Sequence, residues 1–123
     1  MRYLLLVHHS EQVLEQLGDS ELQRMRAESV ELANHLDSTG HYLDAAPLHP
    51  TSTTTNVQVR DGKQIVTDGP FAEMREQVGG YFLIEASNVD EAIDIAARIP
   101  GARIGTVEIR PVMELPGLPS LRR

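Results

Sequence analysis

The residues best suited to chemistry lie close together in residues 67–81, which carry three carboxylates and one arginine. Asp68 and Glu73 are candidate catalytic residues. A carboxylate held at the edge of a sheet could take or return a proton as a general acid or base. This concentration of charge exceeds what a simple connection needs, so the stretch is the first candidate for a functional site.

The same stretch supplies a candidate ligand-binding set. The predicted ligand-binding residues are Asp68, Phe71, Arg75, Glu76 and Tyr81. A structural alternative stays open for Asp68, because an aspartate before Gly-Pro forms a turn in which its carboxylate accepts backbone N–H groups and Gly69 takes a positive φ. For Glu73, Arg75 and Glu76 the alternative is a solvated loop held by salt bridges.

Two adjacent histidines, His8 and His9, end the first apolar segment. Neighbours on a strand point to opposite faces, so these two cannot bind one metal ion together. His8 shares a face with Leu4 and Leu6 and is the third candidate catalytic residue. The sequence contains no nucleophile motif, phosphate loop or dinucleotide fingerprint. We therefore expect neither a metal nor a cofactor.

Composition limits the possible partners. The chain has 123 residues, a formal net charge of −7 and no cysteine. The length suits one domain with its own core. The negative charge argues against nucleic acid, because neutralising phosphates requires clustered lysine and arginine. No segment approaches the roughly 20 apolar residues of a membrane span. The lack of cysteine suits a reducing cytosol, so we expect a cytoplasmic protein that binds neither nucleic acid nor membrane.

Alternating apolar residues predict four strands. Residues 2–8 and 80–86 are apolar on both faces, so these strands are expected at the centre of a sheet. Residues 41–48 and 104–112 form the other two. The apolar residues before His8 end without a small-residue cleavage site, which favours a strand over a signal peptide.

Two helices are predicted between these strands. The first runs from Asp19 or Ser20 to Gly40, and Ser20 with Gln23 has the form of a capping box. Its apolar stripe is Leu22, Met25, Ser29, Leu32, Ala33 and Leu36. The polar residues 10–18 before it hold a short helical turn at most. The second helix follows Asn88 and stops at residues 100–101.

A β-hairpin is the clearest local signal. β-Branched runs flank Asp61-Gly62, a dipeptide typical of a type I′ turn. A two-residue loop pairs Val59 with Gln64 and Val57 with Val66. The hairpin is therefore amphipathic, with one face expected to pack and the other to be solvated.

The predicted order is β-α-β, hairpin, β-α-β. This order indicates an α+β fold, a ferredoxin-like βαβ-hairpin-βαβ sandwich whose antiparallel sheet carries two helices on one face. The other face is left open and apolar, which predicts a homodimer through that face. The domain is expected to span residues 1–114, followed by a C-terminal tail at 115–123.

Five motifs together resemble one family. They are Val-Gln-Val-Arg-Asp-Gly-Lys at 57–63, Thr-Asp-Gly-Pro-Phe-Ala-Glu at 67–73, Gln-Val-Gly-Gly-Tyr at 77–81, Asp-Glu-Ala at 90–92 and Val-Glu-Ile-Arg-Pro-Val at 107–112. The set covers nearly the whole chain and resembles the DGPF-type branch of the YCII-related proteins. The resemblance implies a dimeric α+β barrel of ferredoxin-like subunits. It also implies frequent encoding beside extracytoplasmic-function sigma factors and a largely unassigned biochemical role.

The chain departs from the other YCII branch at two positions. That branch has a helix-one histidine and an aspartate before a proline after helix two, a pair proposed to be catalytic. The matching positions here are Ser29 and Ile99. Within the DGPF-type motif, Met74-Arg75 replaces the usual Thr-Lys, which keeps the charge and loses the hydroxyl. A His/Asp mechanism is therefore not expected.

Two functional hypotheses follow from these observations. The first is a homodimeric small-molecule-binding module with a link to sigma-factor regulation. The second is a cofactor-free lyase- or isomerase-like enzyme that uses Asp68, Glu73 or His8 as a general acid or base. The second hypothesis rests on analogy between folds, which is weak support for a function.

Overall fold

A computed structural model of the chain describes residues 1–121. Three α-helices and six strands follow one another along this part of the chain. They are β1 (Arg2–His9), α1 (Glu11–Leu17), α2 (Asp19–Ser38), β2 (Tyr42–Pro47), β3 (Thr55–Arg60), β4 (Lys63–Asp68), β5 (Gln77–Glu85), α3 (Val89–Ala96) and β6 (Gly105–Pro111). Short 3₁₀ turns at Thr51–Thr53 and Pro100–Arg103 complete the backbone.

Four of the strands form one antiparallel sheet in the order β2-β5-β1-β6. The first strand in the chain, β1, is central, and it pairs with β5 and β6, which come much later in the chain. This arrangement is a mixed α+β fold and is compatible with a ferredoxin-like fold. The prediction that β1 and β5 are the central strands is confirmed.

One hydrophobic core lies between the sheet and two of the helices. Tyr3, Leu5 and Val7 of β1 belong to the same buried cluster as Leu36 of α2 and Ile95 of α3. These helices therefore cover the face of β1 that carries its odd-numbered residues, as period two predicts. Each fully buried Leu or Ile in such a cluster stabilises the fold by about 1.5–3 kcal/mol.

The helices differ from the prediction in number and in one cap. Residues 11–17 form α1 where only a helical turn was expected, so three helices take the place of two. Ser10 begins α1, and its hydroxyl oxygen accepts a hydrogen bond from the backbone N–H of Val13 at 3.4 Å. The capping box at Ser20 is wrong, because α2 begins one residue earlier, after Gly18, and has no side-chain cap. α2 ends at Ser38, just before Gly40, as predicted.

The hairpin β3–β4 extends away from this core as a separate two-stranded sheet. Its predicted register is confirmed, since Val57 pairs with Val66 and Val59 with Gln64. Asp61 and Gly62 take φ values of 51° and 73°, which a type I′ turn requires. The face expected to pack is open in the single chain, because Val57, Val59 and Val66 are 59%, 60% and 57% exposed.

Two further observations concern the ends and the surface of the fold. The described part of the predicted tail, residues 115–121, has exposed leucines at 115, 118 and 121, and residues 122–123 lie outside the described ones. None of the helices in residues 1–121 combines the length and the apolar content that crossing a bilayer requires.

Candidate functional site

A cleft of about 600 Å³ opens between α2 and the sheet strands β1, β2 and β5. Its lining is mainly apolar and includes Val7, Leu22, Met25, Ala33 and Phe82. The helix stripe predicted from the sequence therefore has two roles. Leu32 and Leu36 are buried in the core, while Leu22, Met25, Ser29 and Ala33 line the cleft. The volume lies in the range of pockets that hold small organic molecules.

His9 is the feature of this cleft that calls for an explanation. It ends β1 on the same face as Val7, and its side chain lines the cleft. Its Nδ1 atom is buried and has no hydrogen-bond partner among the described residues. Buried polar atoms in proteins are nearly always paired, and those left unpaired cost free energy. Because Nδ1 itself is closed off from solvent, the cleft meets other atoms of His9.

A β-bulge at Gly79 makes room for the His9 ring. Val7 pairs with Gly80 and His8 pairs with Val78, so Gly79 is the extra residue on β5. A Cβ atom at Gly79 would lie 2.1 Å from Cε1 and Nε2 of His9. Because only glycine leaves this space empty, the imidazole ring can lie directly against the β5 backbone.

The predicted site residues do not converge on this cleft. Tyr81 lines it, but its hydroxyl donates to a carboxylate oxygen of Asp44 at 2.8 Å. That hydrogen bond raises the pKa of Tyr81 above its usual value. Asp68, Phe71 and Glu73 line neither this cleft nor the second hollow described below, and Phe71 is 85% exposed.

The turn at Asp68 is held by its neighbours. Gly69 has the predicted positive φ, at 84°. Its N–H donates to the carbonyl of Thr54 at 2.8 Å, and its own carbonyl accepts from the side-chain amide of Asn56. Within residues 1–121 the carboxylate of Asp68 makes no hydrogen bond, so the amide of Asn56 supports the turn in place of the expected Asx contact.

Arg75 and Glu76 line a second hollow of about 580 Å³ at the start of α1. The side chains around it mostly join one element to another. Gln77 accepts from the backbone N–H of Glu11 at 3.2 Å, and Glu76 accepts from the hydroxyl of Thr106 at 3.1 Å. These hydrogen bonds connect α1, the start of β5 and β6. The hollow is polar and lacks the apolar walls of the cleft.

His8 lies on the opposite side of the sheet from His9. Its Nε2 atom is 2.8 Å from a carboxylate oxygen of Glu108 on β6. Glu108 also contacts the guanidinium of Arg110 at 3.3 Å, and the two partners together lower the pKa of Glu108. The predicted catalytic trio of Asp68, Glu73 and His8 therefore lies in separate places. Across residues 1–121, no three His, Cys, Asp or Glu side chains are grouped as a metal site requires.

Comparison with known proteins identifies the family. The sequence model of the YCII-related domain matches residues 1–116. The chain belongs to the YCII-related family. An uncharacterised protein of Rhizobium meliloti strain 1021 is 33% identical over 114 residues, which cover 91% of this chain and 92% of that protein. The finer assignment to the DGPF-type branch stays a prediction from the motifs.

Both positions that differ from the other YCII branch line the cleft of this YCII-related protein. Ser29 faces it from α2, and Ile99 faces it from the segment after α3. The Ser29 hydroxyl donates to the carbonyl of Met25 in its own helix at 3.0 Å. The cleft is thus apolar at Ile99, and the Ser29 hydroxyl is hydrogen-bonded within its own helix. Among residues 1–121, the cleft residue that carries a buried, unpaired side-chain atom is His9.

Sequence reasoning missed His9, although a signal was present. Period two places His9 on the face of Tyr3, Leu5 and Val7, which is the face toward the helices. The Gly79-Gly80 pair inside a strand is a second signal, because such glycines mark bulges and close approaches. The two signals meet only when β1 and β5 are paired in register.

An ion pair between α2 and the Pro100–Arg103 turn supports one wall of the cleft, and it gives a pH prediction. Arg103 donates two hydrogen bonds to the Glu28 carboxylate, at 2.8 and 2.9 Å, and this bonding lowers the pKa of Glu28. A carboxyl with a lowered folded-state pKa stabilises the fold above its unfolded pKa and loses that contribution as the pH falls through the folded pKa. Glu28→Gln should therefore be less stable than the wild type near neutral pH, and the difference should disappear in acid.

Urea denaturation across a pH series from about 7 to about 3 measures this difference. Glu31→Gln is the control, because Glu31 is exposed on the same helix and makes no ion pair within residues 1–121. A stability difference for Glu28→Gln that persists unchanged to the acid end would contradict the role assigned to the ion pair.

Proposed function

We propose that this YCII-related protein is a homodimeric module that binds a small, largely apolar molecule in the cleft between α2 and the sheet. The observation that carries the proposal is an apolar cleft of about 600 Å³ that has His9 among the residues of its wall. Apolar walls supply affinity and a few placed polar groups supply orientation in most small-molecule sites. The cleft combines both features.

The homodimer half of the proposal rests on the uncovered face of the sheet. Leu4 and Leu6 of β1 and Leu83 of β5 lie there, opposite the core cluster, and are only partly buried. The polar pair His8–Glu108 lies on the same face as these leucines. An apolar centre with a polar rim is the usual composition of an interface. Two such sheets packed face to face would form the dimeric α+β barrel that the resemblance implies.

The enzyme alternative has less support from the geometry. A general acid or base must lie within hydrogen-bonding reach of the reacting group. Asp68 is at the end of β4, Glu73 is in the exposed loop before β5, and His8 is on the open face of the sheet. No single small substrate in the cleft would meet all three. The link to sigma-factor regulation and the cytoplasmic location stay predictions from the sequence.

Filling the cleft tests the binding proposal. Ser29→Leu places a larger apolar side chain on the cleft wall, in a residue type that favours helix. We expect the variant to bind the fluorescent naphthalene dye prodan at least about tenfold more weakly than the wild type, because the added volume competes with the dye. A blue shift of prodan emission measures the binding, and the absence of tryptophan removes a source of background.

Ala27→Leu is the matched control for this test. Ala27 lies on the exposed side of α2 and does not line the cleft, so the same product residue should leave prodan affinity unchanged. Equal loss of binding in both variants would mean that the dye binds elsewhere. If the wild type fails to bind prodan at all, the proposed function loses its support.

A further inference from the structure

We infer that the cleft binds an apolar compound that carries one carboxylate, and that the guanidinium of Arg26 holds this carboxylate at the mouth of the cleft. This inference rests on the proposed function and adds the charge of the ligand. Arg26 lines the cleft from α2 and is exposed. Among the lining residues within 1–121 it is the one arginine or lysine. A positive charge therefore adjoins the apolar space.

Arg26 has no acidic partner in the described part of the protein. The residues three and four positions away on α2 are Leu22, Gln23, Ser29 and Val30. These are the positions that lie beside Arg26 on a helix, and none of them carries a carboxylate. Within residues 1–121 the guanidinium makes neither an ion pair nor a hydrogen bond. A ligand carboxylate would therefore reach it without displacing a protein group.

The uncharged polar side chains that α2 gives to the cleft are already bonded to the helix. The Ser29 hydroxyl donates to the carbonyl of Met25 at 3.0 Å, and the Asn34 side-chain amide donates to the carbonyl of Val30 at 3.1 Å. Arginine, in contrast, presents five N–H donors in a planar fork that matches the two oxygens of a carboxylate. On this wall, Arg26 is thus the side chain best suited to bind a polar group of a ligand.

The cleft extends along α2 beyond Arg26. Leu22 and Asp37 are the first and last residues of α2 in its lining, and a rise of 1.5 Å per residue places them about 22 Å apart. An apolar chain anchored at Arg26 has room to run past Ser29 and Ala33. Asp37 lies about 16 Å from Arg26 along the helix, which exceeds the Debye length of about 8 Å at physiological ionic strength. Its charge therefore repels a carboxylate at Arg26 only weakly.

The position of Arg26 at the mouth favours a single charge. An arginine lays its methylene stem along apolar surface and keeps its charged end in water. A carboxylate bound there stays partly hydrated, so the full cost of burying an ion does not arise. A doubly charged phosphate would bring a second charge, and no second arginine or lysine within residues 1–121 lines the cleft. One carboxylate is the group that the available charge matches.

Decanoate and 1-decanol test the inference, because they share a linear apolar chain and only decanoate is charged at neutral pH. Transfer from water to an apolar site favours the alcohol, and the net charge of −7 opposes an anion. A preference for decanoate therefore requires a local cation. We expect the wild-type protein to bind decanoate at least about threefold more tightly, the gain from a partly solvated ion pair. Isothermal titration calorimetry measures both affinities directly.

Arg26→Gln removes the charge and keeps a residue that favours helix, so the preference for decanoate should disappear or reverse. Arg24→Gln is the matched control. Arg24 is exposed on the same helix, is paired with Glu21 and does not line the cleft, so this variant should keep the preference. Ser29→Leu, which fills the cleft, should weaken both compounds alike. Circular dichroism shows whether each variant is folded.

The outcomes separate this inference from the proposed function. Binding of both compounds by the wild type without a preference for decanoate, or an unchanged preference in folded Arg26→Gln, overturns the carboxylate inference and leaves the binding module intact. Equal loss of the preference in Arg24→Gln and Arg26→Gln overturns it as well, because net charge would then explain the preference. Binding of prodan without binding of either decyl compound overturns the inference alone. Failure of all three compounds to bind overturns both.

Discussion

Leu83→Lys is expected to convert the proposed dimer into a monomer at micromolar concentration. Leu83 pairs with Leu4 at the centre of the uncovered sheet face. In a symmetric dimer each substitution enters the interface twice. Burying an unpaired ammonium group costs several kcal/mol, so we expect the association constant to fall at least about 100-fold. Sedimentation equilibrium of both proteins measures the change directly.

Val89→Lys is the control for this experiment. Val89 begins α3 and is 48% exposed on the helical side of the molecule, so a lysine there adds the same charge away from the proposed interface. This variant should remain dimeric. A wild-type chain that sediments as a monomer at micromolar concentration would show that the dimer proposal is wrong.

Leu36→Ala is expected to lower the free energy of unfolding by about 2–5 kcal/mol, which is more than the loss expected from Glu28→Gln. Leu36 lies on α2, is fully buried and belongs to the core cluster beneath the helix. Removing its side chain leaves a cavity that the neighbouring side chains fill only in part. Single domains are stable by about 5–15 kcal/mol, so this one change removes a large share of the total.

Urea denaturation should show the effect of Leu36→Ala as a lower midpoint with an unchanged slope. Val30→Ala is the matched control, because Val30 is on the same helix and 60% exposed. Alanine favours helix more than valine does, so the control should be as stable as the wild type or slightly more stable. Equal losses in the two variants would contradict the assignment of Leu36 to the core.

Local patterns predicted much of the fold. The Asp61-Gly62 turn determined both the hairpin and its register, because a two-residue loop leaves a single pairing of Val57 with Val66. Alternation along β1 separated the core residues from those on the open face. Both features depend on residues that are near neighbours in the chain, so the sequence alone contains the information.

Other features depend on contacts that sequence periodicity does not encode. Ser20 and Gln23 have the form of a capping box, yet α2 begins earlier because the polar stretch before it folds into α1 and turns at Gly18. The hairpin face was expected to pack, but no element within residues 1–121 covers it. In both cases the arrangement of neighbouring elements overrides the local pattern.

The candidate site likewise combines features that local sequence reveals with features that only tertiary contacts create. Charge density drew attention to Asp68 and Glu73, although a cluster of charges near a turn is usually solvated. The cleft forms only when α2 docks on the sheet, and the role of His9 needs the bulge at Gly79. A buried atom without a partner is a tertiary property, so the charges of Asp68 and Glu73 could not have revealed it, and the Gly79-Gly80 signal gains its meaning only when β1 and β5 are paired.

The central position of β1 has a consequence for synthesis on the ribosome. Its partners emerge late, since Tyr3 pairs with Ile84 and with Pro111. At bacterial or eukaryotic translation rates, the roughly 100 intervening residues take about 5–20 s to make. During that time the apolar strand has no sheet to join. The nascent chain therefore exposes an apolar strand that chaperones can bind until β5 and β6 have emerged to pair with it.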